Sequence, residues 1–269
     1  MRMLIVKIDK RGGAFIHPIY RRPMPPIYVI NLDRDVERMT SLAGSLKSLG
    51  LDYVRVPAVL GKEVPGWEQL VDSGPYADRN RNVMPRPGEV GCYLSHLKAM
   101  ETFLRTDAPW CVILEDDVEV LPTCLPVLAA LGEKDDWDLA KLFCFHSGMP
   151  VRKRALTPTH WLVVHLTRTT SSAAYAVNRR AAETMLKSMR PITEQVDHAL
   201  DRPWETGLRV RGVRPLPIIL APVAATTTIG YADRGERSLP FRRAVRLFLS
   251  RAGKEIRRFA NGLAEGFMR

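Results

Sequence analysis

The sequence predicts an α/β fold built on a mostly parallel central sheet. Two observations carry that prediction. Residues 26–61 read as strand, helix and strand, the βαβ unit from which parallel sheets are assembled. Downstream, apolar runs of strand length keep alternating with stretches whose apolar residues recur every three or four positions. At 269 residues with 46% hydrophobic content and a mean hydropathy of −0.12, the chain can bury a substantial core.

Residues 1–25 read as a leader, closing on the proline-rich joint HPIYRRPMPP, which suits neither a helix nor a central strand. PIYVINL is then a buried strand. In DRDVERMTSLAGSLKSLGL the residues Val36, Met39, Leu42, Leu46 and Leu49 share a helix face, and Gly50 stands at the helix end. DYVRVPAVLG is a second strand with a turn. Residues 61–87, rich in Gly, Pro and charge, are expected to form a long loop. GEVGCYLSHLKAMETFLRT is a helix with Val90, Leu94, Leu97 and Leu104 along one side, and it leads into the strand WCVILEDD. WDLAKLFCF and THWLVVHL are further strands, with a loop over 147–160 between them. SSAAYAVNRRAAETMLKSM is a short strand running into a helix, and PITEQVDHAL a loop with a helical turn. RVRGVRPLPIIL is a late strand, which its two prolines place near an edge.

Charge is unevenly spread. The net charge is +11, and residues 241–269 hold seven Arg and one Lys against two Glu, so 8 − 2 = +6. In that segment Phe241, Val245, Phe248, Ala252, Ile256, Phe259, Leu263 and Phe267 form a continuous stripe. Arg242, Arg243, Arg246, Lys254, Arg257 and Arg258 lie mostly away from it. A basic amphipathic helix over 240–269 is expected, suited to the interfacial plane of an anionic membrane. The plainer alternative is a terminal helix packed on the core with its charges solvated. No window approaches the roughly 20 apolar residues of a spanning helix, and no secretory signal pattern is visible, so a soluble or peripheral protein is expected. Cys92, Cys111, Cys124 and Cys144 are scattered, without zinc spacing, and read as reduced core cysteines. No nucleic-acid motif accompanies the positive charge, so no nucleic-acid partner is expected.

The chemistry concentrates in CVILEDDVEV. Glu115, Asp116 and Asp117 follow one another at the carboxyl end of a buried strand, the end where α/β sheets gather their ligands. Adjacent carboxylates repel, and a divalent cation with a preference for oxygen ligands is the natural compensation. A phosphoryl-transfer enzyme would also use such a site, but neither a P-loop nor a second acidic cluster appears.

INLDRDVER, VPAVLG, GEVGCYLSHLKAM, VILEDDVEV, DLAKL, SSAAYAVNRRAAETML and VDHALD occur in that order. Together they resemble glycosyltransferase family 25, the bacterial lipooligosaccharide glycosyltransferases related to collagen galactosyltransferases. The likeness covers about residues 26–230, so a catalytic domain over 26–235 is expected. The resemblance implies a glycosyltransferase A-type nucleotide-binding sandwich. It implies transfer of a hexose, most often galactose, from a UDP-sugar to a glycan or glycolipid acceptor, with inversion and with Mn2+ (or Mg2+) as the ion. Metal ligands are then expected among Glu115, Asp116 and Asp117, which two being left open, with His198 completing the shell. Donor contacts are expected from Asn31, Arg34, Arg38, Ala58, Gly61, Glu89, Ser95, His96 and Lys141. Inversion requires one base on the acceptor side. Asp197 is the choice, with Glu194 and Asp201 as rivals. A cytoplasmic protein, peripheral on the inner membrane, is the expected setting, and a binding protein on an inactive scaffold is the alternative reading.

Overall fold

The structure, a computed structural model, describes residues 4–8, 14–18, 23–80, 83–222 and 241–267. The stretch read as a leader carries a hairpin of its own, β1 (Leu4–Ile8) antiparallel to β2 (Ala14–Pro18). The main sheet begins with β3 (Ile27–Asn31), α1 (Val36–Ser48) and β4 (Val54–Pro57), the anticipated βαβ unit, with β3 and β4 parallel. The expected loop over 61–87 holds two single 3-10 turns and the short α2 (Ser73–Arg79). Then come α3 (Pro87–Leu104), β5 (Trp110–Glu115), β6 (Val118–Val120), α4 (Cys124–Leu131), β7 (Leu139–Lys141), β8 (Pro150–Ala155), β9 (Trp161–His165) and β10 (Ala174–Asn178). The remainder is α5 (Arg179–Ser188), α6 (Val196–Ala199), α7 (Pro203–Thr206), β11 (Val210–Arg214), β12 (Ile218–Leu220) and α8 (Phe241–Phe267).

Eight strands form one sheet in the order β4-β3-β5-β10-β7-β11-β9-β8. β10 runs against β5 and β7, and β9 against β11 and β8; the other six share one direction. The fold is therefore α/β with a sheet whose strands mostly point the same way, as the sequence predicts.

Alternation along the strands makes a core on each face. Tyr28 and Ile30 of β3, Ile113 of β5 and Tyr175 and Val177 of β10 pack under α3 and α5. Their sequence neighbours Ile27, Val29, Val112, Leu114, Ala174 and Ala176 pack on the other face, against Leu42 and Leu46 of α1 and Val127 and Leu128 of α4.

One strand lies elsewhere than expected. β11 sits between β7 and β9 in the interior of the sheet, because Pro215 follows its paired stretch and removes no ladder donor. β12 pairs only with β6, in a separate two-stranded ribbon. The segments 124–131 and 150–155, for which no helix and no strand is expected, form α4 and β8.

α3 is pressed against the loop that follows β4, and two glycines permit it. A Cβ on Gly61 would lie 1.7 Å from the Pro87 carbonyl oxygen, and one on Gly91 would lie 2.4 Å from the Val59 carbonyl oxygen. Backbone meets backbone here, and no side chain can step aside. Gly91→Ala is expected to lower stability by about 3 kcal/mol or more, as overpacking against fixed atoms does. Gly44→Ala in α1, where a Cβ meets nothing within 4 Å, should instead raise it by about 0.5–1 kcal/mol. Denaturant midpoints at unchanged slope check both signs.

Candidate functional site

Because β3, β4 and β5 are parallel, their carboxyl ends open at one margin of the sheet. Asn31 ends β3, Ala58 follows β4, and Glu115 ends β5, while the first turns of α1 and α3 approach from either side. A cleft of ≈ 140 Å³ lies there, room for on the order of ten waters. Asn31, Arg34, Arg38, Ala58, Gly61, Ser95 and His96 line it, together with Glu115 and Asp116. Residues 85 positions apart are thus brought into one wall.

The carboxylates are held by a defined set of partners. Arg38, in the first turn of α1, reaches Asp116 Oδ1 at 3.0 Å and Asp117 Oδ2 at 2.8 Å with a single Nη2. Asn31 Nδ2 donates to Asp116 Oδ2 at 2.7 Å and to the Asp35 carbonyl at 3.0 Å, while Arg55 Nε donates to Asn31 Oδ1 at 2.8 Å. The Asn31 side chain is therefore pinned on both of its ends. Glu115 Oε1 accepts from Ser172 at 2.6 Å and lies 3.2 Å from His96 Nε2. His96, fully buried, is oriented through Nδ1 by the Tyr175 hydroxyl at 3.0 Å.

Other expected residues have structural ties. Ser95 Oγ donates to the Gly91 carbonyl at 2.7 Å and accepts from Val59 N at 2.8 Å, fastening the loop after β4 to α3. Glu89 caps α3 by accepting from Arg86 N at 2.9 Å, and it also accepts from Gln195 at 2.8 Å, tying α3 to the start of α6. Lys141 is not in the cleft lining. Its buried ammonium donates to Thr169 at 3.1 Å and lies 3.5 Å from Asp201. Asp197 and His198 also lie outside the lining, on α6. Asp197 is close enough to weigh on the thiol of Cys92, which does line the cleft. His198 Nε2 stands 4.0 Å from Asp197 Oδ2.

A family model described as Glycosyltransferase family 25 (LPS biosynthesis protein) matches residues 24–200. The chain belongs to glycosyltransferase family 25. A "Glycosyltransferase 25 family member" of Anopheles gambiae is 35% identical over 122 residues, covering 42% of this chain and 20% of that protein. One of Drosophila pseudoobscura pseudoobscura is 24% identical over 264 residues, covering 83% of this chain and 40% of that protein. The chain thus spans only a fifth to two fifths of these relatives. Among solved structures, the galactosyltransferase LgtC in complex with donor and acceptor sugar analogs is similar at a TM-score of 0.36 and 15% identity, covering 70% of this chain and 72% of that one. An active-site mutant of LgtC gives a TM-score of 0.37 at 14% identity, covering 84% and 95%.

Every expected site residue, from Asn31 to His198, falls inside the family 25 match, and α8 lies outside it. A divalent cation is what the family resemblance implies, and the carboxylates fit one. Asp117 Oδ1 is buried with no hydrogen-bond partner. Burial, then the neighbouring Glu115 carboxylate, push the Asp117 carboxyl up to about 7, although Arg38 pulls the other way. Burial also raises Asp116, against the opposing effects of Asn31 and Arg38. At Glu115 burial is outweighed by the hydrogen bond and charge of His96, with Ser172 and Arg38 adding to them, and its carboxyl is lowered. An orphan oxygen on a destabilised carboxylate beside an ionised one is a seat for a cation that prefers oxygen. A second grouping, Cys92, His96 and Glu115, places its donor atoms within 4.8 Å of one another. There the thiol is raised well above its usual value by burial and then by Glu115, Asp197, Asp117 and Glu89, so it remains a protonated, weak ligand. Glu115 and Asp117 are the better pair.

Sequence reasoning does not reach Arg55, Ser172 and Tyr175, whose roles come from strands β4 and β10 being brought beside β3 and β5. Their only signal is position, at or next to strand ends that turn out to be neighbours.

The raised Asp117 carboxyl has a consequence for stability. Its folded value lies above its unfolded 3.8, so the folded state holds this proton more tightly. The contribution is present at low pH and is lost as pH rises through about 7. With divalent cations chelated, Asp117→Asn should therefore be more stable than the parent at pH 8, by more than a unit-pKa equivalent of about 1.4 kcal/mol. The difference should shrink steadily towards pH 4, as read from denaturant midpoints across that range.

Proposed function

We propose that this chain is an inverting, metal-dependent glycosyltransferase that moves a hexosyl group, galactose in the first instance, from a UDP-sugar to a saccharide of a lipooligosaccharide or other surface glycan. The observation that supports this reading best is the cleft itself. Seven of the residues expected at the donor converge there with Glu115 and Asp116, at the carboxyl ends of parallel strands.

The parts divide by chemistry. Asn31, with its amide pinned by Asp116 and Arg55, presents a fixed edge of the cleft to a base or ribose. Arg34 is about half exposed at the mouth, where a guanidinium meets a diphosphate in bidentate fashion. A bound Mn2+ or Mg2+, held by Glu115 and Asp117, would supply Lewis-acid neutralisation of the departing diphosphate. Arg38 keeps two of the carboxylates in place and apart from solvent.

The acceptor hydroxyl needs a base, and the three candidates differ in what already engages them. Glu194 is buried among Arg79, Arg202 and Lys254. Asp201 lies between Lys141 and Arg258, at 3.5 Å from each. A carboxylate so compensated is a poor proton acceptor. Asp197 is partly exposed, and its ion-pair neighbour is the His198 imidazole, with the His198 backbone N–H donating to Oδ1 at 2.9 Å. Asp197 is the base in this reading.

A screen of UDP release with UDP-galactose, UDP-glucose and UDP-N-acetylhexosamines, with and without Mn2+, tests the proposal. Release that depends on both acceptor and cation is expected. No binding of UDP by calorimetry and no release with any donor would overturn it. Asp117→Ala should lower UDP release by about 100-fold or more, the scale of losing one electrostatic stabiliser. Asp197→Asn should still bind UDP and Mn2+, yet transfer sugar some 10²–10⁴ times more slowly, the range for a lost general base. Weakened UDP binding in that variant would move Asp197 to the donor side.

A further inference from the structure

α8 docks the wrong way round for a helix that merely completes the core. Three of its charged residues face the body: Lys254 lies 3.7 Å from Glu194, Arg258 lies 3.5 Å from Asp201, and Glu265 accepts from Arg211 at 2.6 Å. The Arg258 guanidinium also stacks over Trp204, 5.2 Å from the ring centre. Gly262 lets the helix backbone close on His165 and Leu166, where a Cβ would meet the His165 carbonyl oxygen at 3.0 Å. Leu247 is buried with them, but the stripe of larger apolar residues is left outside. Phe248, Ile256 and Phe267 are 69%, 68% and 69% exposed, and Leu249, Phe259 and Leu263 continue the same stripe.

An apolar stripe of this length is unusual on a surface that only meets water. With 27 residues, α8 extends about 40 Å at 1.5 Å per residue. The stripe is long and flanked by the exposed Arg251 and Arg257, on a helix with seven basic and two acidic residues. That pattern matches a flat, apolar layer topped by negative headgroups. A second copy of the chain would bring an identical arginine-flanked stripe against the first, and the like charges would oppose it. Among the described residues no helix is long and apolar enough to cross a membrane, which leaves α8 to lie along one.

We propose that the outer face of α8 is a docking surface for an anionic lipid bilayer and that it brings the catalytic cleft to an acceptor resident in that bilayer. The second half rests on the glycosyltransferase reading. It follows from placement: the carboxylates that α8 grips, Glu194 and Asp201, bracket Asp197 in sequence on the α6–α7 segment. The lipid-facing helix and the base therefore belong to one block, and a lipid-linked saccharide standing in the membrane reaches Asp197 from that side.

The test uses the full chain and vesicles of phosphatidylcholine with 30% phosphatidylglycerol, beside pure phosphatidylcholine. Flotation with the anionic vesicles, weakened by salt, is expected. The triple variant Phe248→Glu, Ile256→Glu and Phe267→Glu changes only exposed side chains and should bind at least 10-fold more weakly, with an unchanged melting temperature and unchanged UDP binding. Failure of the parent to float, or equal flotation of the variant, overturns the docking surface. So does a parent that is dimeric by light scattering and made monomeric by the three substitutions, since the stripe is then a self-interface. Flotation needs no donor, so a chain that floats but releases no UDP sinks the enzyme reading alone. For the acceptor, KM for a lipid-linked saccharide presented in those vesicles should rise at least 10-fold in the variant, with KM for a soluble saccharide unmoved. Equal effects on both overturn the acceptor's placement.

Discussion

Three adjacent carboxylates at the end of a strand buried on both faces set the terms for everything around them. Unpaired, each would carry a desolvation cost that no small domain can absorb three times over. The surrounding fold supplies compensation from four directions: Arg38 from α1, Asn31 from β3, His96 from α3, and Ser172 from the segment entering β10. These groups stand close together only because β3, β5 and β10 are adjacent in the sheet. The compensation is also incomplete. Asp117 keeps an oxygen without a partner. Three carboxylates facing one arginine, with an oxygen left over, make an arrangement that costs the fold stability, and the proposed cation is what would compensate it.

Much of this was legible from local pattern. Apolar spacing in 36–49 and 90–104 marked α1 and α3, and the runs around Ile30 and Ile113 marked β3 and β5, so the margin carrying the cleft follows from the sequence. The ordered blocks located the residues that line it. What stayed hidden depends on long-range pairing. Placing β10 antiparallel between β5 and β7 brings Ser172 and Tyr175 to Glu115 and His96, and no periodicity announces that insertion. β11 illustrates the reverse error. Its prolines looked like edge markers, but Pro215 and Pro217 stand outside the stretch that pairs with β7 and β9. Short elements such as β7, three residues long, are also set by their neighbours more than by propensity.

The terminal helix separates two kinds of information. Sequence spacing divides α8 into an apolar and a basic side, and the structure keeps that division. Which side turns inward is decided by Glu194, Asp201 and Arg211, residues tens of positions away. Hydrophobicity alone would have buried the stripe. A nearby pair of buried acids that takes a further cation from the helix, together with Arg211, which takes its Glu265, turns the charged side inward and leaves the phenylalanines outside.

That reversal makes α8 part of the body's own electrostatics. Lys141 is 1% exposed in the sheet, Asp201 sits beside it, and Arg258 of α8 lies on the other side of Asp201. Glu194 likewise joins Arg202 and Arg79 of the body to Lys254 of α8. Removing the helix would strip one cation from each of these acids and leave Arg211 without Glu265. Breaking even one buried pair of this kind costs about 3–5 kcal/mol, a large fraction of a domain's total stability. A truncated chain would therefore lose structure around α6, where Asp197 is carried, whatever the helix does at a membrane. The roles of the two faces can be separated only by substitution on the outer one, because the inner face is tied to the acids on either side of α6.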